Sequence, residues 1–231
     1  IDPYVSALCK EIEIAGESGR QADGQKLSVH TIFFGGGTPS LLPLTALTAI
    51  FSSLQTAFEI QPGSEITLEA NPGTLTLDYL RGLRSLGANR LSLGMQSAIP
   101  GELRLLERQH DLADVVQAVD WARQAGLHNF NLDLIFGLPY QSLANWQNSL
   151  AMALSLRPPH LSLYALTLEH GTPMPRWVER GLLSEPDDDL AADMYDFATE
   201  RLAEVGYTQY EISNWAQPAS DGSPLACRHN L

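Results

Sequence analysis

Glycines, carboxylates, amides and hydroxyls recur in this chain at the points where short apolar runs end. The first run closes on Gly35-Gly36-Gly37-Thr38-Pro39, the second on Glu69-Ala70-Asn71-Pro72, and the third on Ser92-Leu93-Gly94-Met95-Gln96-Ser97. Asn131 and Asp133 stand in a fourth run, ahead of Gly137-Leu138-Pro139. Ser162 and Tyr164 stand in a fifth, with Glu169, Gly171 and Thr172 beyond it. A sixth ends in Tyr210-Glu211-Ile212-Ser213-Asn214. Singly, each has a structural explanation: glycines make turns, a carboxylate caps a helix, a tyrosine packs its ring. Six strand ends on one face would need six such explanations, and a polar ligand held across that face is the simpler reading. The glycine run lacks the Lys-Ser/Thr of a phosphate loop and does not open a helix as Gly-x-Gly-x-x-Gly would. Its bare carbonyls and amides suit an ammonium and a carboxylate, hence an amino acid.

The elements that must position these groups alternate along the chain. Helical spacing puts Val5, Leu8, Ile12 and Ala15 on one face over residues 3–17, and a polar loop follows over 16–24. Apolar runs at 29–34, 65–70, 90–93, 129–135, 160–166 and 207–213 read as strands. Helical patterns at 43–57, 77–87, 111–126, 142–156 and 190–205 separate them. Asp111 is an N-cap with Asp114 three residues on, and Leu112, Val115, Val116, Val119 and Ala122 share a face. Strands alternating with helices imply right-handed crossovers and a parallel sheet, whose sites lie at the carboxyl ends of the strands. Six strands are too few for an eight-stranded barrel. The expected fold is therefore α/β, an open, curved parallel sheet with outer helices, with a doubly wound sheet as the alternative. Residues 216–226, rich in Pro, Ser, Gly and Asp, read as a flexible loop.

Bulk properties narrow the function classes. The chain has 231 residues, a net charge of −13 and 44% hydrophobic residues, enough for one sizeable core. Acidity without a Lys/Arg cluster argues against nucleic-acid binding and against an anionic membrane surface. No apolar run approaches the roughly 20 residues that span a bilayer. The two cysteines, Cys9 and Cys227, rule out a disulfide framework and point to a reducing compartment, the cytoplasm. Both ends read as truncations.

The motif set resembles the oxygen-independent coproporphyrinogen oxidase-like branch of the radical S-adenosylmethionine superfamily. Gly35 to Ser40, Glu69 to Pro72, Ser92 to Ser97, Asn131 to Pro139, Tyr164 to Leu166, Glu169 to Pro173 and Tyr210 to Asn214 carry it, in order and spacing. The resemblance implies a partial (β/α)6 barrel over residues 1–215, with S-adenosylmethionine and a [4Fe–4S] cluster at its mouth. Residues 216–231 would lead into a further region. It implies that Gly36, Gly37 and Thr38 meet the methionyl amino and carboxylate end. Arg108, twelve residues after Gln96, would pair that carboxylate through its planar fork. Glu69, Gln96 and Asp133 would hold the amino group and ribose hydroxyls, and Ala165 would present backbone to the adenine. The family's Cys-x-x-x-Cys-x-x-Cys loop belongs upstream of the first helix and is not in this sequence. Three thiolates are needed to hold such a cluster with one iron open, so the chain as it stands is expected to bind none.

Cys227-Arg228-His229-Asn230-Leu231 resembles the start of the His-Asn-x-x-Tyr-Trp segment of the heme-chaperone branch, where the histidine is implicated in heme binding. That likeness implies a carrier that binds heme through His229 and passes it to recipient hemoproteins. The alternative is oxidative decarboxylation of coproporphyrinogen III, started by a 5′-deoxyadenosyl radical. A non-radical partial-barrel lyase is the third class.

Overall fold

The computed structural model describes residues 1–20, 22–219, 222 and 225–231. Among the described residues, eight α-helices and seven strands follow the expected alternation. They are α1 (Asp2–Ser18), β1 (Ser28–Phe34), α2 (Leu44–Ala57), β2 (Glu59–Ala70), α3 (Leu77–Leu86), β3 (Arg90–Gln96), α4 (Pro100–Leu105) and α5 (Leu112–Gln124). Then come β4 (Asn129–Phe136), α6 (Leu143–Ser155), β5 (His160–Ala165), α7 (Pro173–Glu179), α8 (Asp188–Glu204), β6 (Thr208–Glu211) and β7 (Asn214–Ala216). The strands form one sheet in the order β1-β2-β3-β4-β5-β7-β6. β1 to β5 are parallel neighbours, and the sheet curls into a half-barrel with helices outside it.

Period-2 alternation in the strands sorts side chains between the two faces. Leu68, Leu91, Leu93, Leu132, Leu134 and Leu161 turn outward into one buried core with residues of α2, α3, α5, α6 and α8. Their alternates, among them Thr67, Arg90, Ser92, Asn131, His160 and Ser162, are buried but polar. Parallel strands between helix layers are normally apolar on both faces. Here the inner face is polar, so the lumen is a ligand cavity and not a packed core. Caps fix the helices at the strand ends. Asp111 and Asp114 form a reciprocal capping box on α5, as their spacing predicts, and Thr76, Ser142 and Asp187 cap α3, α6 and α8. Val5, Leu8 and Ile12 seat α1 on α2.

Several expectations need correction. The sixth strand does not join the parallel sheet. The run at 207–213 holds only β6; the chain turns at Ile212-Ser213 into β7, which pairs antiparallel with both β6 and β5. The turn lets Trp215, two positions beyond the expected end, bury its ring against Tyr195 of α8. β2 begins at Glu59, not residue 65, because a bulge carrying Gly63 (φ 78°) lets pairing resume below it. β3 continues to Gln96 through a second irregularity after Leu93. The loop reading of 216–226 falls in part on residues 220, 221, 223 and 224, which lie outside the described residues, as does Gln21 of the 16–24 loop. At its ends the loop reading of 216–226 is corrected: Ala216 belongs to β7 and Ala226 is buried, as is Cys227 after it. The last residues fold back against the sheet: Arg228 Nη1 donates to the Gly63 carbonyl (2.8 Å), and the Cys227 N–H donates to the Tyr210 hydroxyl (3.1 Å).

Candidate functional site

A cavity of about 450 Å³ occupies the lumen. Gly37, Glu69, Gln96, Arg108 and Asp133 all reach its wall. Gly36 and Gly37 follow β1 in the left-handed region (φ 83° and 58°), which side-chain-bearing residues rarely adopt. Nothing lies within 4 Å of where a Cβ would stand on either, so this backbone faces open space. Glu69, at the end of β2, accepts a hydrogen bond from the Gly36 N–H (3.1 Å) and so ties the glycine turn to the neighbouring strand. Gln96 ends β3 in a left-handed conformation (φ 63°). A Cβ on Gly94 would stand 2.7 Å from Gln96 Nε2, so glycine there gives the amide its place. Arg108 is delivered by α4, a helix that the sequence pattern does not announce. Beyond its last turn, Glu107 is left-handed (φ 53°) and the Arg108 N–H returns to the Leu103 carbonyl (2.9 Å). Arg108 thus stands after a helix end at the cavity mouth, not on a solvated helix face.

Below the mouth, one directional network joins four strands. Asn131 Nδ2 donates to Ser92 (2.8 Å), Ser162 (3.0 Å) and Asp133 (2.5 Å), and the Ser92 hydroxyl donates to Asp133 (2.9 Å). The Asn131 carbonyl oxygen must then accept, which fixes the proton of His160 on Nδ1 (2.6 Å). His160 Nε2 accepts from the Tyr210 hydroxyl (2.6 Å). Burial, with the charge of Arg90 beside it, pushes His160 down to about 3 and keeps it neutral. Burial lifts Asp133 to about 6, against hydrogen bonds from Ser92 and Asn131 and the charge of Arg90. Burial also raises the Cys227 thiol, so that it stays protonated at neutral pH.

Thr38 also lines the cavity, whereas three of the expected residues, Gly36, Ala165 and His229, are not on its wall. Ala165, at the end of β5, lines a separate shallow depression with Tyr195 and Ala191 of α8. His229 is exposed at the edge of the cavity, beside residues that line it. Its ring stacks on Phe33 (5.0 Å between centroids), its Nδ1 is 3.1 Å from the Thr31 hydroxyl, and its N–H points at Glu65 (3.4 Å). Phe33, Cys227 and Asn230 line the cavity around it. Arg90 and His160 are cavity residues that a search of strand ends missed. They begin their strands, and the signal was there in their two-residue step to Ser92 and Ser162. The described residues hold no group of three His, Cys, Asp or Glu placed to take a metal ion. Cys9 is on the outer helix α1 and Cys227 in the lumen, both free. These residues do not fit a [4Fe–4S] cluster.

The half-barrel with a polar lumen and a glycine turn after its first strand is that of the radical SAM superfamily, whose family model matches residues 15–153, and the chain belongs to that family. Membership implies S-adenosylmethionine and a [4Fe–4S] cluster as cofactors. The heme chaperone HemW of Synechocystis sp. (PCC 6803) is 41% identical over 230 residues, all of this chain and 53% of that protein. HemW of Escherichia coli K12 is 38% identical over 232 residues, 57% of its length. The chain thus spans about half the length of the curated relatives it matches. Among solved structures, the coproporphyrinogen III oxidase HemN of Escherichia coli, a radical SAM enzyme, matches with a TM-score of 0.82 at 27% identity. The match covers 95% of this chain and 49% of that one. No described helix is long and apolar enough to cross a membrane.

Proposed function

We propose that the protein of which this chain is part is a heme chaperone of the radical S-adenosylmethionine type, binding heme and handing it to hemoproteins. The observation that carries the reading is the return of Cys227 to Leu231 onto the barrel, which seats His229 against Phe33 at the edge of the cavity. An imidazole there suits an axial position on heme iron. HemW relatives that align along the whole chain support it. Two free cysteines suit a reducing compartment, and the cytoplasm is the location we propose.

S-adenosylmethionine fits the lumen: an open glycine turn, an arginine at the mouth and three acidic or amide groups surround a space of its size. In this reading Arg108 forks onto its carboxylate, and Gly36, Gly37 and Thr38 take the amino-acid end. Glu69, Gln96 and Asp133 hold the amino group and ribose hydroxyls. Backbone at Ala165 borders the adenine. The chemistry that the bound molecule supplies in this family is radical chemistry. Residues 1–215 form the barrel unit, and residues 216–231 lead into a further region of the protein.

A second reading, coproporphyrinogen III oxidase, is favoured by the fold match to that enzyme over 95% of the chain. Heme titration of the full-length protein separates the two. The chaperone reading expects tight binding that His229→Ala weakens, with a shifted Soret band, while Cys227→Ser keeps the wild-type spectrum. Failure to retain heme, with protoporphyrinogen formed from coproporphyrinogen, would give the oxidase first place.

A further inference from the structure

We propose that the floor of the lumen is a carboxylate subsite, with Arg90 as its charged donor, separate from the S-adenosylmethionine carboxylate site at Arg108. Arg90 opens β3 on its luminal side and is 2% exposed, yet it lines the cavity. Its Nε has no partner among the described residues. The two ion pairs among those residues, Arg81–Asp78 and Arg201–Glu204, lie elsewhere on the surface. Arg90 is therefore a buried guanidinium with no ion-pair partner among the described residues.

The luminal carboxylates are engaged by other groups. Asp133 accepts from Ser92 and Asn131, Glu69 accepts from the Gly36 N–H, and Glu65 faces the Cys227 thiol and the His229 N–H. Arg90 acts by its charge on Asp133, which Ser92 and Asn131 already hold, and on two neutral groups. His160 is held between Asn131 and Tyr210, and Cys227 is a thiol. A fixed positive charge with no ion-pair partner among the described residues is a place for a negative charge, and the planar fork matches a carboxylate in two parallel hydrogen bonds. S-adenosylmethionine brings one carboxylate, and Arg108 stands at the mouth to meet it. The anion at Arg90 therefore belongs to a second ligand. It is either a small free carboxylate or the carboxylate arm of a larger molecule. Only the latter rests on the heme-chaperone reading.

Thermal unfolding of the full-length protein in sodium acetate, against sodium chloride at equal ionic strength and pH, tests the subsite. Acetate should raise the midpoint of wild type and of Arg108→Ala, raise Arg90→Lys less, and leave Arg90→Gln unmoved. An equal rise in Arg90→Gln overturns the proposal. So does the absence of an acetate-specific rise in wild type, a measurement that needs no variant to fold. Heme and its dimethyl ester then distinguish the sources. If the arm of heme fills the subsite, wild type binds the ester about tenfold more weakly than heme, Arg90→Gln binds both alike, and acetate competes with heme. If heme and ester bind wild type alike while acetate still stabilises it, the occupant is a small free carboxylate.

Discussion

Asp133, lifted by burial to about 6, and the guanidinium of Arg108 reach the same cavity with different chemistry. Asp133 must be ionised to hold a cationic ligand, and the proton it takes up as pH falls through about 6 competes with that role. In the full-length, cluster-loaded protein, S-adenosylmethionine affinity should therefore drop between pH 7.5 and 5.5. Asp133→Asn should bind more weakly than wild type at pH 7.5, and its affinity should stay flat over that range. Arg108→Ala should lose more, about 1.5–3 kcal/mol, because a ligand carboxylate is left without its charge-assisted partner, and it should keep the pH dependence. Calorimetry at three pH values reads both; a flat wild-type profile would take Asp133 out of the site. Arg108 shows what a sequence can hide at this scale. In Glu107-Arg108-Gln109 it looks like any solvated charge, and only the left-handed Glu107 turns it to the mouth.

The end of β3 is where an element does the work of a residue. The irregularity after Leu93 and the left-handed Gln96 aim an amide inward, and Gly94 leaves it room. Gly94→Ala should push the flexible end of Gln96 aside. Chain folding should be kept, with an unfolding midpoint near wild type, while S-adenosylmethionine binding weakens by about 1 kcal/mol, the worth of one hydrogen bond. Gln96→Ala should match it, and a Gly94→Ala that binds normally would show the amide to be idle. β1 to β5 and their helices were legible because period-2 and period-3.6 patterns alternate cleanly and caps such as Asp111 mark the starts. The bulge in β2 was not, since Pro62-Gly63 reads as a stop. The β6–β7 hairpin was not either, because an apolar run does not announce a turn at Ile212-Ser213. α4, a helix of six residues, is too short to show a periodicity.

For the whole molecule, the two titrating ends of the luminal network oppose each other. His160 has a folded pKa near 3 against an ordinary 6.5, so the stability it contributes is complete above about 6.5 and is lost as pH falls toward 3. Asp133 works the other way: its folded state holds the proton more tightly, so its ionisation costs stability as pH rises from about 4 to 6. Removing either uncovers the other. Urea unfolding of Asp133→Asn should show a steeper loss of stability from pH 6.5 to 5 than wild type, by about 1 kcal/mol. His160→Gln should show a shallower loss, by about 2 kcal/mol. Parallel pH profiles in all three proteins would mean that the network does not titrate with folding.

β1 and β6 are the free edges of the half-barrel, and no strand joins them among the described residues. The chain from Cys227 to Asn230 runs between the two, touching Thr31, Phe33 and Glu65 on one side and Tyr210 and Glu211 on the other. It acts as a lace across an open seam. A sheet closed by ladder hydrogen bonds has a fixed girth, whereas a laced one is only as tight as its few side-chain knots. Any ligand that takes the His229 ring undoes the knot at Thr31 and Phe33, and the seam slackens beside the cavity. Occupation of the lace and grip on whatever lies in the lumen then become linked quantities, each shifting the other by the same free energy.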